Sequence, residues 1–125
     1  MHALRNVRRL LAPGGRVLDL QPLPPGAQAE AGGEVLGRAN QEVAFGRFAE
    51  VERAVQAVLA GGDVFAVERE LEFDVLALFH SAEHLPERVK DWDSELDDAL
   101  MARLLAAPPP ILFRDRVRLR VLRQP

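Results

Sequence analysis

The chain of 125 residues has no cysteine, so disulfides, thiolate catalysis and cysteine-based zinc sites are excluded outright. No apolar stretch approaches the roughly 20 residues that a membrane span requires. The N-terminal stretch lacks the pattern of a signal peptide, and a cytoplasmic location is the expectation. Lysine is almost missing as well: Lys90 stands alone against fifteen arginines. That bias, with many alanines and prolines, speaks of a GC-rich genome rather than of binding. The formal net charge of −3 exerts no overall pull toward nucleic acid or anionic membrane. There is no internal repeat, and beyond the triplet Pro108-Pro109-Pro110 no low-complexity segment. A glycine-rich phosphate cradle is also missing. Gly14-Gly15 leads from a helix into a strand, whereas a phosphate loop leads from a strand into a helix N-terminus.

What is present reads as one domain, 1–125, long enough to bury a core without staples. Leu4, Val7, Leu10 and Leu11 fall at helical spacing, with Arg5, Arg8 and Arg9 off that face, which predicts a helix over 2–11. Ala12-Pro13 stops it and Gly14-Gly15 allows a tight reversal. Val17, Leu18 and Leu20 then form a short apolar run of the kind covered on both faces, in a strand over 16–21. Pro22 to Gly33 is rich in breakers and reads as loop. Glu34–Arg38 and Gln41–Phe45 read as a hairpin over 34–45, and Phe48, Val51, Val55, Val58 and Leu59 as the apolar stripe of a helix over 48–60. A strand over 64–78, helices over 82–92 and 95–106, the latter capped by Ser94 with Leu96, Leu100, Met101 and Leu104 inward, and a strand over 111–122 complete the order. The fold class is α+β: a mainly antiparallel sheet packed by three to four helices.

The two long strands carry complementary charge. Glu68, Glu70, Glu72 and Asp74 alternate along one, and Arg114, Arg116, Arg118 and Arg120 along the other. With side chains alternating at period 2, antiparallel pairing sets Glu70 opposite Arg118 and Glu72 opposite Arg116 in a solvated ladder. A matching acidic strand in the same chain argues against a phosphate-gripping arginine strand, so no nucleic-acid partner is expected.

Candidate chemistry is sparse, and no catalytic residue is assigned. Asp19 and Gln21 lie at the carboxyl end of the first strand, where open α/β sheets place ligands, and Trp92 with Leu85 and Val89 is a further pocket candidate. The competing readings are a solvent-facing strand end and a core tryptophan. His80, Glu83 and His84 spell H-x-x-E-H, the order of inverted zinc peptidases. Zinc chemistry needs both histidines one helical turn apart with a third ligand elsewhere, whereas His80 falls at a strand end; surface histidines are the competing reading.

The phrase from Leu4 to Pro22, with its helix, Pro-Gly-Gly turn and apolar strand, resembles the helix before the fifth strand, and that strand, of class I (Rossmann-like) S-adenosylmethionine-dependent methyltransferases. The downstream order of helix, long strand, inserted helices and a final antiparallel strand is similar to that family as well. The resemblance implies a C-terminal portion without the glycine-rich loop and ribose-binding acid of the N-terminal half. It therefore implies no cofactor for this chain alone, and S-adenosylmethionine only if a missing N-terminal half completes it. The expected role is a substrate-side or dimerisation module without independent methyl transfer. Small-ligand or protein binding unrelated to the cofactor is the alternative, and a metal-dependent hydrolase using His80, Glu83 and His84 a weaker one. Losing the first half leaves one edge of the Val17–Leu20 strand open, so a homodimer covering that edge is expected. A separate N-terminal half-protein is the other partner considered.

Overall fold

The computed structural model describes residues 2–125, with side chains from Ala3 onward. Its elements in chain order are α1 (His2–Leu10), β1 (Arg16–Pro22), β2 (Gln28–Ala31), β3 (Glu34–Arg38), α2 (Glu42–Gly61), β4 (Ala66–Phe79), α3 (Leu85–Lys90), α4 (Asp98–Ala106) and β5 (Ile111–Arg123). Four helices and an open, mostly antiparallel sheet of five strands make the α+β class expected from the sequence. The strands run β1-β5-β2-β3, with β4 also paired to β5. Antiparallel β2 sets Ala29 against Phe113 and Ala31 against Ile111. Contacts between β1 and β5 descend on one strand as they ascend on the other, from Leu23 N–H on Arg116 O to Asp19 on Arg120. That is the signature of an antiparallel pair.

The chain divides into two compact units. The first holds residues up to Gln21, Arg47–Glu72 and Arg118–Pro125. Its core is Leu4 from α1, Val55 and Val58 from α2, Val64, Phe65, and Leu122 from β5, with Leu11, Val17 and Leu59 packed around them. The Pro-Gly-Gly reversal forms as expected: Gly14 takes φ 75°, and Gly15 N–H donates to Ala12 O at 2.8 Å. A side chain at Gly15 would meet that same oxygen at 2.8 Å, so glycine is needed for close approach as well as for the turn.

The second unit holds Pro22–Gly46 and Phe73–Val117. Ala27, Ala29 and Ala31, Leu85 and Val89 of α3, Leu100 and Leu104 of α4, and Ile111 and Phe113 of β5 form its core. Trp92, Phe79 and Phe113 contact one another with ring centroids 5.7–6.2 Å apart, in the tilted and edge-on geometries that aromatic quadrupoles favour.

Several expected boundaries change. Gln28–Ala31, read as loop, is a strand, and β3 makes its hairpin with it through Gly32 and Gly33 at φ 59° and 80°. Gln41–Phe45 is not the second arm: Asn40 Oδ1 accepts the Glu42 N–H and the chain enters α2 there. Helix α3 is shorter than 82–92. Helix α4 starts at Asp98 under Asp97, whose carboxylate accepts the Leu100 N–H at 2.6 Å. Ser94 instead donates its hydroxyl to Trp92 O and is buried. Leu10 is 86% exposed rather than inward. At about 100° per residue Leu4, Val7 and Leu11 form the seam, and Leu10 lies to one side of it.

Candidate functional site

In the first unit, the inward side of β1 is its polar side. Leu18 and Leu20 are 67% and 55% exposed, whereas Gln21 is buried and Asp19 half-buried. The expectation of a strand covered on both faces is therefore corrected, because β1 is covered on one face only. The same parity fixes the neighbour. Asp19 meets Arg120, and Val17 packs against the core that contains Leu122, so odd positions of β1 share a face with even positions of β5. Leu119 and Val121 of β5, half-buried, share the other face with Leu18 and Leu20.

On the inward face Arg120 is 1% exposed. Its Nε and Nη2 donate to Asp19 Oδ2 at 2.8 and 2.6 Å, and Nη1 and Nη2 donate to Glu52 at 2.8 and 2.7 Å. Arg118 Nη2 adds a bond to Glu52 at 2.8 Å, and the Gln56 amide another at 2.8 Å. Gln21 Nε2 donates to Asp19 at 3.1 Å. Two guanidinium groups and two carboxylates thus neutralise one another. Burial alone would push the Glu52 carboxyl up; bonds from Arg120 and Gln56 overcome it and hold the group below the ordinary range. Burial likewise opposes the charge on Arg120, and its bonds to Glu52 and Asp19 more than restore it. Such a cluster fixes the position of β1 against β5 and α2.

Glu52 belongs to no motif in the sequence. Its signal is positional: four residues after Phe48 and three before Val55, it occupies the helix stripe that Val51 was expected to share. Val51 is 40% exposed. A carboxylate in an apolar stripe calls for a buried cation, and Arg120 supplies it.

The expected ladder is therefore divided among different partners. Arg118 Nε lies 3.7 Å from Glu70, as the register anticipated, although that is too long for a hydrogen bond. Arg116 reaches Asp74 at 3.3 Å, and Arg114 bonds both Asp74 and Glu30, at 3.2 and 2.8 Å. Glu68 is taken by Arg16, whose Nη2 donates at 2.9 Å. Arg120 leaves the ladder altogether for the core, so the solvated ladder is corrected at that position.

In the second unit, His80 follows the end of β4 and His84 is the N-cap residue of α3, so the histidines stand on different elements. Glu83 and His84 line different cavities beside His80: one of ≈ 450 Å³ with Glu83, Leu104 and Ile111, and one of ≈ 360 Å³ with His84, Leu85 and Arg88. Among the described residues no three His, Asp or Glu side chains are grouped to hold a metal ion. Trp92 belongs to the aromatic cluster, 38% exposed. Asp115 of β5 carries a buried Oδ1 with no hydrogen-bond partner, and burial pushes its carboxyl up.

No family model, curated protein or solved structure matches the chain. Among the described residues no helix is long and apolar enough to cross a membrane.

Proposed function

We propose that the chain is a methyltransferase-like C-terminal portion that works as an association module, pairing with a second copy through β1. The observation that carries this reading is the exposure of Leu18 and Leu20, at 67% and 55%, on a strand that ends the sheet path. An end strand offers unpaired N–H and C=O groups, and apolar side chains beside them favour association. Two features support the methyltransferase likeness: the helix, Pro-Gly-Gly turn and strand form as α1 and β1, and the final strand β5 pairs with both β1 and β4.

A two-fold axis through an antiparallel β1 pair sets positions of equal parity opposite one another, so the leucines of both copies gather on one face. Its charges raise no barrier. Arg16 is paired with Glu68 and Asp19 with Arg120 within each copy. In this reading S-adenosylmethionine enters only together with an N-terminal half that carries the glycine-rich loop, the occupant expected if the same edge serves a different chain. Hydrogen exchange as a function of protein concentration tests the reading. Amides of Arg16–Gln21 gain protection as concentration rises; protection that never changes with concentration contradicts it.

A second reading, small-ligand binding, is favoured by the ≈ 450 Å³ cavity of the second unit, with an apolar floor of Leu104 and Ile111 beneath His80, Ser81 and Glu83. Saturable backbone amide shifts at His80, Ser81 and Glu83 on titration with apolar carboxylic or amide compounds, abolished in Leu105→Arg at the cavity's exposed rim, would select it.

A further inference from the structure

Arg16, Arg114, Arg116, Arg118 and Arg120 each hold a carboxylate. The three on α1 do not. Among the described residues no ion pair engages Arg5, Arg8 or Arg9. Spaced three and four apart from Arg5, they occupy one flank of the helix, beside the seam of Leu4, Val7 and Leu11. With Asp63, Val64 and Gln124 they line one cavity of ≈ 380 Å³ in the first unit. Gln124 is fixed there, since its amide donates to Arg8 O at 3.0 Å. The last-turn positions of Arg8 and Arg9 suit the helix dipole, but Arg5 lies in the middle of α1, where the dipole gives it no support.

We propose that this cavity binds a small phosphate monoester. Guanidinium forks match phosphate oxygens bidentately, and three of them line this one concavity. The volume sits at the lower end of the about 300–1,000 Å³ usual for small-molecule sites, which limits the ligand to a few carbons. Asp63 in the wall sets the rest of the chemistry. A carboxylate accepts from a ligand hydroxyl and repels a second phosphate, so a hydroxylated monophosphate fits better than a polyphosphate. The site is independent of the β1 association reading, since it uses neither β1 nor its open edge.

The test is a titration of the isotope-labelled full chain, followed by backbone amide shifts, with inorganic phosphate, glycerol 3-phosphate and pyrophosphate at fixed ionic strength. Saturable shifts confined to α1, Asp63, Val64 and Gln124 are expected, with glycerol 3-phosphate tightest. Arg5→Gln with Arg9→Gln should weaken binding at least tenfold while leaving the thermal midpoint and oligomeric state unchanged. Asp63→Asn should erase the preference for glycerol 3-phosphate over inorganic phosphate. Shifts that follow ionic strength alone, or that survive the double variant, overturn the proposal. So does binding of duplex DNA with no response to the phosphates.

Discussion

Arg120 donates to Asp19 at 2.6 and 2.8 Å from a side chain only 2% exposed, which ties the last strand to the first through a buried ion pair. Glu52 completes the arrangement from α2. Breaking a buried pair by removing one member leaves the other charge uncompensated, at about 3–5 kcal/mol. Since Asp19 and Glu52 keep some solvent contact, Arg120→Met should cost about 3 kcal/mol in urea denaturation. Adding Asp19→Asn and Glu52→Gln should recover part of that loss.

Acid should act on the first unit through the same carboxylates. Glu52, held low against burial by Arg120 and Gln56, and Glu68, held low by Arg16, have folded-state values below their unfolded ones. Their contribution is complete above the ordinary glutamate range and is lost as pH falls through the folded values, below about pH 4. Denaturation midpoints should drop there, and Glu52→Gln should flatten that part of the profile.

Asp115 has the opposite sign. Burial raises its folded value, so the ionised group works against folding at neutral pH and the penalty fades in acid. Asp115→Asn should stabilise the chain by about 1 kcal/mol at pH 7. The gain should vanish once the wild-type carboxyl is protonated, and denaturation at both pH values checks it.

Phe113 stands at the centre of the second unit, 2% exposed and edge-on to both Phe79 and Trp92. Phe113→Ala should cost about 3–5 kcal/mol. Trp92 is the sole tryptophan, so its fluorescence should register the earlier unfolding directly.

Much of this architecture was legible from periodicity and turn chemistry. The Pro-Gly-Gly reversal, the long β4 and β5, and the Glu70–Arg118 neighbourhood all follow from local pattern. The misses have physical causes. Ala29 and Ala31 carry too little surface to announce a strand, yet their small size lets β2 lie buried beside Phe113 and Ile111. Ser94 and Asp97 are both competent caps, and only the tertiary burial of Ser94 decides between them. An apolar run such as Val17-Leu18-Asp19-Leu20 does not say how many faces are covered. The answer lay in Glu52 and Arg120, distant in sequence and charged, which claim the inward side for Asp19 and leave both leucines outside.

Those two leucines carry the association of β1. Sedimentation equilibrium of the full chain, beside a Leu18→Arg, Leu20→Arg variant, measures the central claim. The wild type should sediment as a dimer and the variant as a folded monomer, with unchanged circular dichroism. A wild-type chain that stays monomeric at high concentration, or a variant that dimerises equally well, would contradict it.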